Sequence, residues 1–220
     1  MTTVYLIRHS VRMPIAFIES YNTKQDDILK YEKIVLSSLG EERAKILSEQ
    51  KELENIDVVY TSNCVRTLQT AKYLLEKQNL KVNIDERFDE RRVGKRNEDA
   101  VTDWFYRQYF DADYKTIGGE SQNEVCQRFS EAFFEVIDKN KNKRIAIYTH
   151  GYAITFFLLK YCKLLEIEGK RLKFEYKGKV LFDKEISAPE VFKLLVDENS
   201  KEVVDIKLLE FDDLPFNSGI

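Results

Sequence analysis

An α/β protein built on an open, mostly parallel sheet with helices on both faces is the fold class this sequence predicts. Short β-branched runs alternate with longer helix-forming stretches over the first three-quarters of the 220 residues. One helix start carries capping-box spacing, Ser121 followed by Glu124. No repeat, low-complexity tract or Pro/Gly/Ser linker breaks the pattern, so residues 1–220 read as a single domain.

The elements follow in chain order. Val4-Tyr5-Leu6-Ile7, Val58-Val59-Tyr60 and Ile145-Ala146-Ile147-Tyr148 read as buried strands, with Val82-Asn83-Ile84 a shorter fourth. Between them, Glu41 to Leu53 and Val65 to Lys77 are rich in helix formers. The helix opened by Ser121 carries Val125, Phe129, Ala132, Phe133 and Val136 on one face at helical period. A further helix is expected from Tyr152 to about Cys162. Residues 15–35 and 95–117 read as insertions. The second brings Trp104, Phe105, Tyr106, Tyr109 and Phe110 onto a short helix that either packs into the core or covers a pocket. Alternating apolar and polar residues near 171–210 predict a C-terminal β-hairpin, Val191–Val196 against Val203–Leu209.

Composition narrows the function classes. A formal charge of -3, from 35 basic and 38 acidic residues, is a mixed field. It argues against nucleic acid or an anionic membrane as partner and leaves room for a small anion held by a few arginines. Cys64, Cys126 and Cys162 are widely spaced and form no CxxC pair, so they read as free thiols rather than zinc ligands or a disulfide framework. The N-terminal apolar run is too short for a signal peptide, and Ala153–Leu159 falls far short of the roughly 20 residues that cross a bilayer. A cytoplasmic, soluble protein is expected. Oligomeric state is not legible.

The rare chemistry sits at strand ends. The chain has only two histidines, His9 and His150, and each follows a predicted strand by one or two residues. Arg66 and Glu90 lie just past the strands at 58–60 and 82–84. In an open parallel sheet the ligand crevice lies outside the carboxyl ends of the strands, so these side chains converge. Arg8 and Arg66 offer guanidinium forks suited to phosphoryl oxygens. A neutral imidazole among such cations is a competent nucleophile, because nearby positive charge disfavours its protonated form. A carboxylic acid must then protonate the leaving alkoxide and activate water, and Glu90 is the candidate, with Glu86, Asp89 and Glu98 as neighbouring rivals. His150 would add a further donor to the phosphate.

Leu6-Ile7-Arg8-His9 resembles the opening motif of the histidine phosphatase superfamily, whose small branch includes phosphoglycerate mutases and related phosphatases. Leu36-Ser37-Ser38-Leu39-Gly40 with Ala44 is similar to the family's "L-(S/T)-x-x-G…QA" helix start, and Ser62 to Ala71 to its "S-x-x-x-R-x-x-Q-T-A". Phe88-Asp89-Glu90 with Gly94 resembles its acid-bearing segment, Gly118-Gly119-Glu120-Ser121 its "GGES", and Tyr148-Thr149-His150-Gly151 its second-histidine motif. The matches run in family order from residue 4 to about 160.

The resemblance implies a phosphoglycerate mutase-like fold and a metal-independent, cofactor-free phosphatase. His9 would be the phosphorylated nucleophile, Glu90 the acid/base, and Arg8, Arg66 and His150 the phosphate pocket. Two positions depart from the pattern. Ser10 stands where the family usually has glycine, and Arg12 where the small branch commonly has threonine, which makes Arg12 a candidate third phosphate-binding arginine. Gly151 after His150 favours the small branch over the acid-phosphatase branch, which has aspartate there. The alternatives are a mutase that returns the phosphoryl group to substrate and a non-catalytic module that binds a phosphorylated ligand. A small phosphorylated partner is common to all three, and the aromatic density suggests a nucleoside or aryl phosphate.

Overall fold

The computed structural model describes residues 1–14, 32–94 and 104–219. Most of the insertion read at 15–35, the first part of that at 95–117, and the Trp104 side chain lie outside these described residues.

Four parallel strands form the centre of the molecule: β1 (Thr2–Arg8), β2 (Val58–Thr61), β3 (Val82–Ile84) and β4 (Arg144–Thr149). They lie in the order β3-β2-β4-β1. Val4 and Leu6 of β1 face one core while Tyr5 and Ile7 face the other, and all four are fully buried. Burial on both faces is why this run is continuously apolar instead of alternating.

Helices cover both faces. On one side lie α1 (Ser38–Ser48) and α2 (Val65–Gln78), which place Leu47, Ala71 and Leu74 against Tyr5, Val59 and Tyr148. On the other, α4 (Gln122–Lys139) and α5 (Gly151–Leu158) pack Phe129, Phe133 and Phe157 against Val4, Leu6 and Ile147. The Ser121–Glu124 capping box opens α4 as its spacing predicts. The short α3 (Trp104–Phe110) lays Phe105 and Tyr109 on Tyr152 and Phe156 of α5, so these two aromatics serve the core. Phe110 is exposed. Among the described residues, no helix is long and apolar enough to cross a membrane.

The C-terminal third is richer than a single hairpin near 171–210. β8 (Val191–Asp197) and β9 (Glu202–Leu209) do form the expected hairpin, which joins the main sheet antiparallel to β1. Before it, β5 (Lys163–Glu168), β6 (Arg171–Tyr176) and β7 (Lys179–Lys184) make a separate antiparallel sheet. The helix read to about Cys162 stops at Leu158, and β5 begins at Lys163. The reason is weak patterning: β5 has no fully buried position, and the β6–β7 turn uses Lys177-Gly178, both at positive φ, instead of the usual Asn-Gly. Likewise α1 ends at Ser48, and Lys51–Leu53 form a separate 3-10 turn.

The aromatic centre of the second core tests the packing. Phe129 is fully buried, with ring centroids 5.0 Å from Phe88 and 4.8 Å from Phe157. Phe129→Ala is expected to lower unfolding free energy by about 3–5 kcal/mol in urea denaturation.

Candidate active site

Backbone hydrogen bonds carry the parallel ladder past the strand ends and so fix the loops that hold the rare residues. His9 N–H donates to Thr149 O (2.9 Å), Ser62 N–H to Tyr148 O (3.0 Å), and Asp85 N–H to Thr61 O (3.0 Å). The loops after β1, β4, β2 and β3 therefore meet at one edge. His9 and His150 face each other edge-on with ring centroids 5.2 Å apart, and both are buried.

Hydrogen bonding fixes each tautomer. His9 Nδ1 lies 2.7 Å from Ser10 O, and a carbonyl only accepts, so Nδ1 carries the proton and Nε2 the lone pair. His150 Nδ1 lies 3.0 Å from Arg66 Nη2, which only donates, so here the lone pair is on Nδ1. Its Nε2–H then donates to Ser62 Oγ at 2.8 Å. Burial holds His9 well below the ordinary histidine value, helped by the Arg66 and Arg8 charges. Burial does the same to His150, with Arg66 again adding to it. Both rings are neutral at physiological pH. The His150 Nε2–H thus meets Ser62, and the ring's other nitrogen orients Arg66.

Arg8 Nη1 donates to the carbonyls of Ile186 and Ser187. Among the described residues its Nε is buried with no hydrogen-bond partner, and Gly151 leaves room beside it, since a Cβ there would stand 3.5 Å from that nitrogen. A buried guanidinium N–H without an acceptor marks a place for an anion. Arg12 pairs with Leu36 in an isolated bridge, and its charge acts on both His9 and Arg8. Glu90 reaches the first turn of α5. Its Oε1 accepts from Arg91 N–H (2.9 Å) and Ala153 N–H (3.0 Å), whereas Oε2 has one longer bond, from Tyr152 N–H (3.3 Å). Its charge supports that of Arg8. All six residues singled out from the sequence thus share one region.

Among the rival carboxylates, Glu86 is exposed and Glu98 lies outside the described residues. Asp89 accepts from Asn63 N–H (2.7 Å), and burial pushes its carboxyl up to about 6. Cys64, Asp89 and His150 are ligand types within 4.8 Å of one another, yet Arg66 donates straight into His150, so a metal ion there would face a fixed positive charge. Burial raises the Cys64 thiol to about 11, which leaves it a poor nucleophile at neutral pH.

The remaining motif residues hold the loop of His9. Ser10 N–H donates to Thr70 Oγ1 (3.0 Å), and Leu36 N–H to Gln69 Oε1 (2.7 Å). Ser37 donates to Val11 O from both its N–H (3.0 Å) and its hydroxyl (3.2 Å). Gly40 packs so tightly on Val11 O that any Cβ would collide with it. Ser10 is fully buried without positive φ, so a side chain brings no backbone strain where the motif has glycine. Ser62, Gln69 and Thr70 were visible in the sequence as motif letters only. Their roles emerge from contacts across more than one element.

Over residues 4–180 the chain matches the histidine phosphatase superfamily (branch 1). The protein belongs to that superfamily. As a branch 1 member it is 28% identical over 141 residues to phosphoserine phosphatase 1 of Hydrogenobacter thermophilus, covering 60% of this chain and 65% of that one. It is 25% identical to the probable phosphoglycerate mutase GpmB of Salmonella paratyphi A, covering 70% and 72%. Among solved structures, a phosphoserine phosphatase of Entamoeba histolytica with 3-phosphoglyceric acid superposes at TM-score 0.65, 19% identity, over 98% of this chain and 100% of that one. A mycobacterial glucosyl-3-phosphoglycerate phosphatase with inorganic phosphate gives TM-score 0.65 at 16% identity over 99% of both. These structures share the fold.

Because the chain has two histidines, both states can be read directly by NMR. Neither ring is expected to titrate near pH 6.5, and ¹⁵N shifts should report Nδ1–H for His9 and Nε2–H for His150. The unfolded chain would protonate both at about pH 6.5, so their contribution to stability is complete above that pH and is lost as pH falls below it.

Proposed function

We propose that this histidine phosphatase superfamily member is a metal-independent phosphatase that hydrolyses a small phosphomonoester through a phosphohistidine on His9. The observation that carries the reading is the His9 ring itself, buried and neutral. Its proton is tied to Ser10 O, which leaves the Nε2 lone pair with no partner among the described residues and with arginine charges acting on the ring.

In the first step His9 Nε2 attacks phosphorus in line and the P–O bond to the alcohol breaks. Glu90 gives its proton to the departing oxygen, releasing the alcohol and leaving a carboxylate. Oε2 is the atom suited to that proton, since Oε1 already accepts two N–H bonds. In the second step Glu90 takes a proton from water, the water oxygen bonds to phosphorus, and the P–N bond breaks. Inorganic phosphate leaves, and Nε2 and Glu90 are restored. Arg8, through its unpartnered Nε, and Arg66 would hold the equatorial oxygens as charge redistributes. Arg12 adds positive charge nearby, and His150 keeps Arg66 aimed.

The names of the relatives support a phosphoserine- or 3-phosphoglycerate-like ester as the substrate class. Phe105 and Tyr109 are committed to α5, which leaves half-buried Tyr106 and exposed Phe110 as the described aromatics of α3 that could meet a nucleoside or aryl group. The likeness to a probable phosphoglycerate mutase keeps a mutase as the second reading, and dependence on a bisphosphate activator would favour it.

Wild type should hydrolyse p-nitrophenyl phosphate in EDTA, and His9→Ala should abolish both turnover and phosphate trapped on the protein. Full metal dependence, or turnover surviving in His9→Ala, would overturn the mechanism. Glu90→Gln should lower kcat/KM by about 10²–10⁴-fold for alkyl phosphates, and by less for p-nitrophenyl phosphate, whose leaving group needs little protonation.

A further inference from the structure

The Gly118-Gly119-Glu120-Ser121 segment has no part in the chemistry above, yet it lies along the loop that carries Glu90. Glu120 N–H donates to Arg92 O (2.8 Å), and Arg92 N–H donates back to Glu120 Oε2 (2.9 Å). Arg91 Nε donates to Glu120 O (2.9 Å). Gly94, at φ +70°, and Gly119 approach so closely that a Cβ on Gly94 would collide with the Gly119 backbone. The two segments therefore form a backbone-to-backbone seam that only glycine permits.

Arg128, on the second turn of α4, closes this seam. Its Nη1 donates to Arg87 O (2.7 Å) and Asp89 O (3.0 Å), and its Nη2 to Glu90 O (3.3 Å). The same guanidinium pairs with Glu120 through Nε to Oε1 (2.8 Å) and Nη2 to Oε2 (3.0 Å). Arg128 and Glu120 are about four-fifths buried, at 19% and 16% side-chain exposure, so water competes weakly for these bonds. The capping box at Ser121 and Glu124 anchors α4, and hence Arg128, to the end of the same segment.

We propose that Arg128, with Glu120, is a positioning residue for Glu90: a planar clamp that holds the backbone of the acid-bearing loop so that the carboxyl meets the leaving oxygen. This rests on the acid role of Glu90 given above. The clamp grips three carbonyls of the loop, those of Arg87, Asp89 and Glu90, and one carboxylate, a pattern that fits a forked guanidinium and not an ammonium. Its effect falls on proton delivery to the leaving group, and phosphate capture stays with Arg8 and Arg66. The Arg128 charge also acts on His150, so a purely electrostatic role is the competing account.

The two accounts separate by leaving group. The readout is kcat/KM, which reports phosphoryl transfer to His9, for glycerol phosphate and p-nitrophenyl phosphate with wild type, Arg128→Ala, Arg128→Lys, Glu120→Gln and Glu90→Gln. Arg128→Ala and Arg128→Lys should lose about 10–100-fold on glycerol phosphate, the scale of a misplaced catalytic group, and no more than about threefold on p-nitrophenyl phosphate. Glu120→Gln should show the same pattern with a smaller loss, and it keeps the test open if the arginine variants fold poorly. Adding Arg128→Ala to Glu90→Gln should cost little more than Glu90→Gln alone, because both act on one proton transfer. Equal losses on both substrates, full rescue by lysine, or additive losses in the double variant would each overturn the clamp. If Glu90→Gln itself loses equally on both substrates, the acid role falls, and the clamp falls with it. If Glu90→Gln shows the leaving-group pattern and the Arg128 and Glu120 variants do not, only the clamp falls.

Discussion

Two imidazole rings are buried in edge contact with guanidinium groups close by, where water cannot stabilise an added proton. That constraint organises the site. Each ring must stay neutral and find protein partners for one N–H and one lone pair. His150 finds both, in Ser62 and Arg66, and becomes a fixed strut. Among the described residues His9 finds one, at Ser10 O, which leaves the Nε2 lone pair without a described partner. The neighbouring unpartnered Nε of Arg8 is the matching unspent donor. Such a lone pair and donor beside buried arginines are what the proposed phosphoryl transfer requires.

Around that pocket the chain is arranged as two braces. The loop of His9 is held from the α1–α2 side by Gln69, Thr70, Ser37 and the close approach of Gly40. The loop of Glu90 is held from the α4–α5 side by Arg128, Glu120 and the first turn of α5. The parallel sheet lies between them and sets the distance from one brace to the other. In-line displacement needs nucleophile and acid on opposite sides of the phosphoryl group, and separate supports on the two faces of the sheet suit that demand.

How legible these parts were in the sequence follows from how local their causes are. The four parallel strands stand out because burial on both faces forces unbroken apolar runs such as Val4–Ile7 and Ile145–Tyr148. The capping box at Ser121 is written in two letters three residues apart. β5 to β7 stayed hidden because half-exposed, charged strands such as Lys163–Glu168 carry little apolar alternation of their own, although each pairs with the next strand in sequence. The short α5 was also not legible: the apolar residues up to Cys162 suit a helix, but after Leu158 the chain turns, with Lys160 N–H on Phe157 O and Tyr161 N–H on Leu158 O.

By itself the sequence determined the fold class, the family motifs and which rare side chains cluster at the strand ends. Chain order and the rules of parallel sheets suffice for that much. Only the tertiary structure decided which nitrogen of each histidine holds the proton. It also showed that His150 supports Arg66, and that Glu120 and Arg128 clasp the loop of Glu90. Those facts depend on donors and acceptors brought together from separate elements, and no spacing along the chain encodes the direction of a hydrogen bond between them.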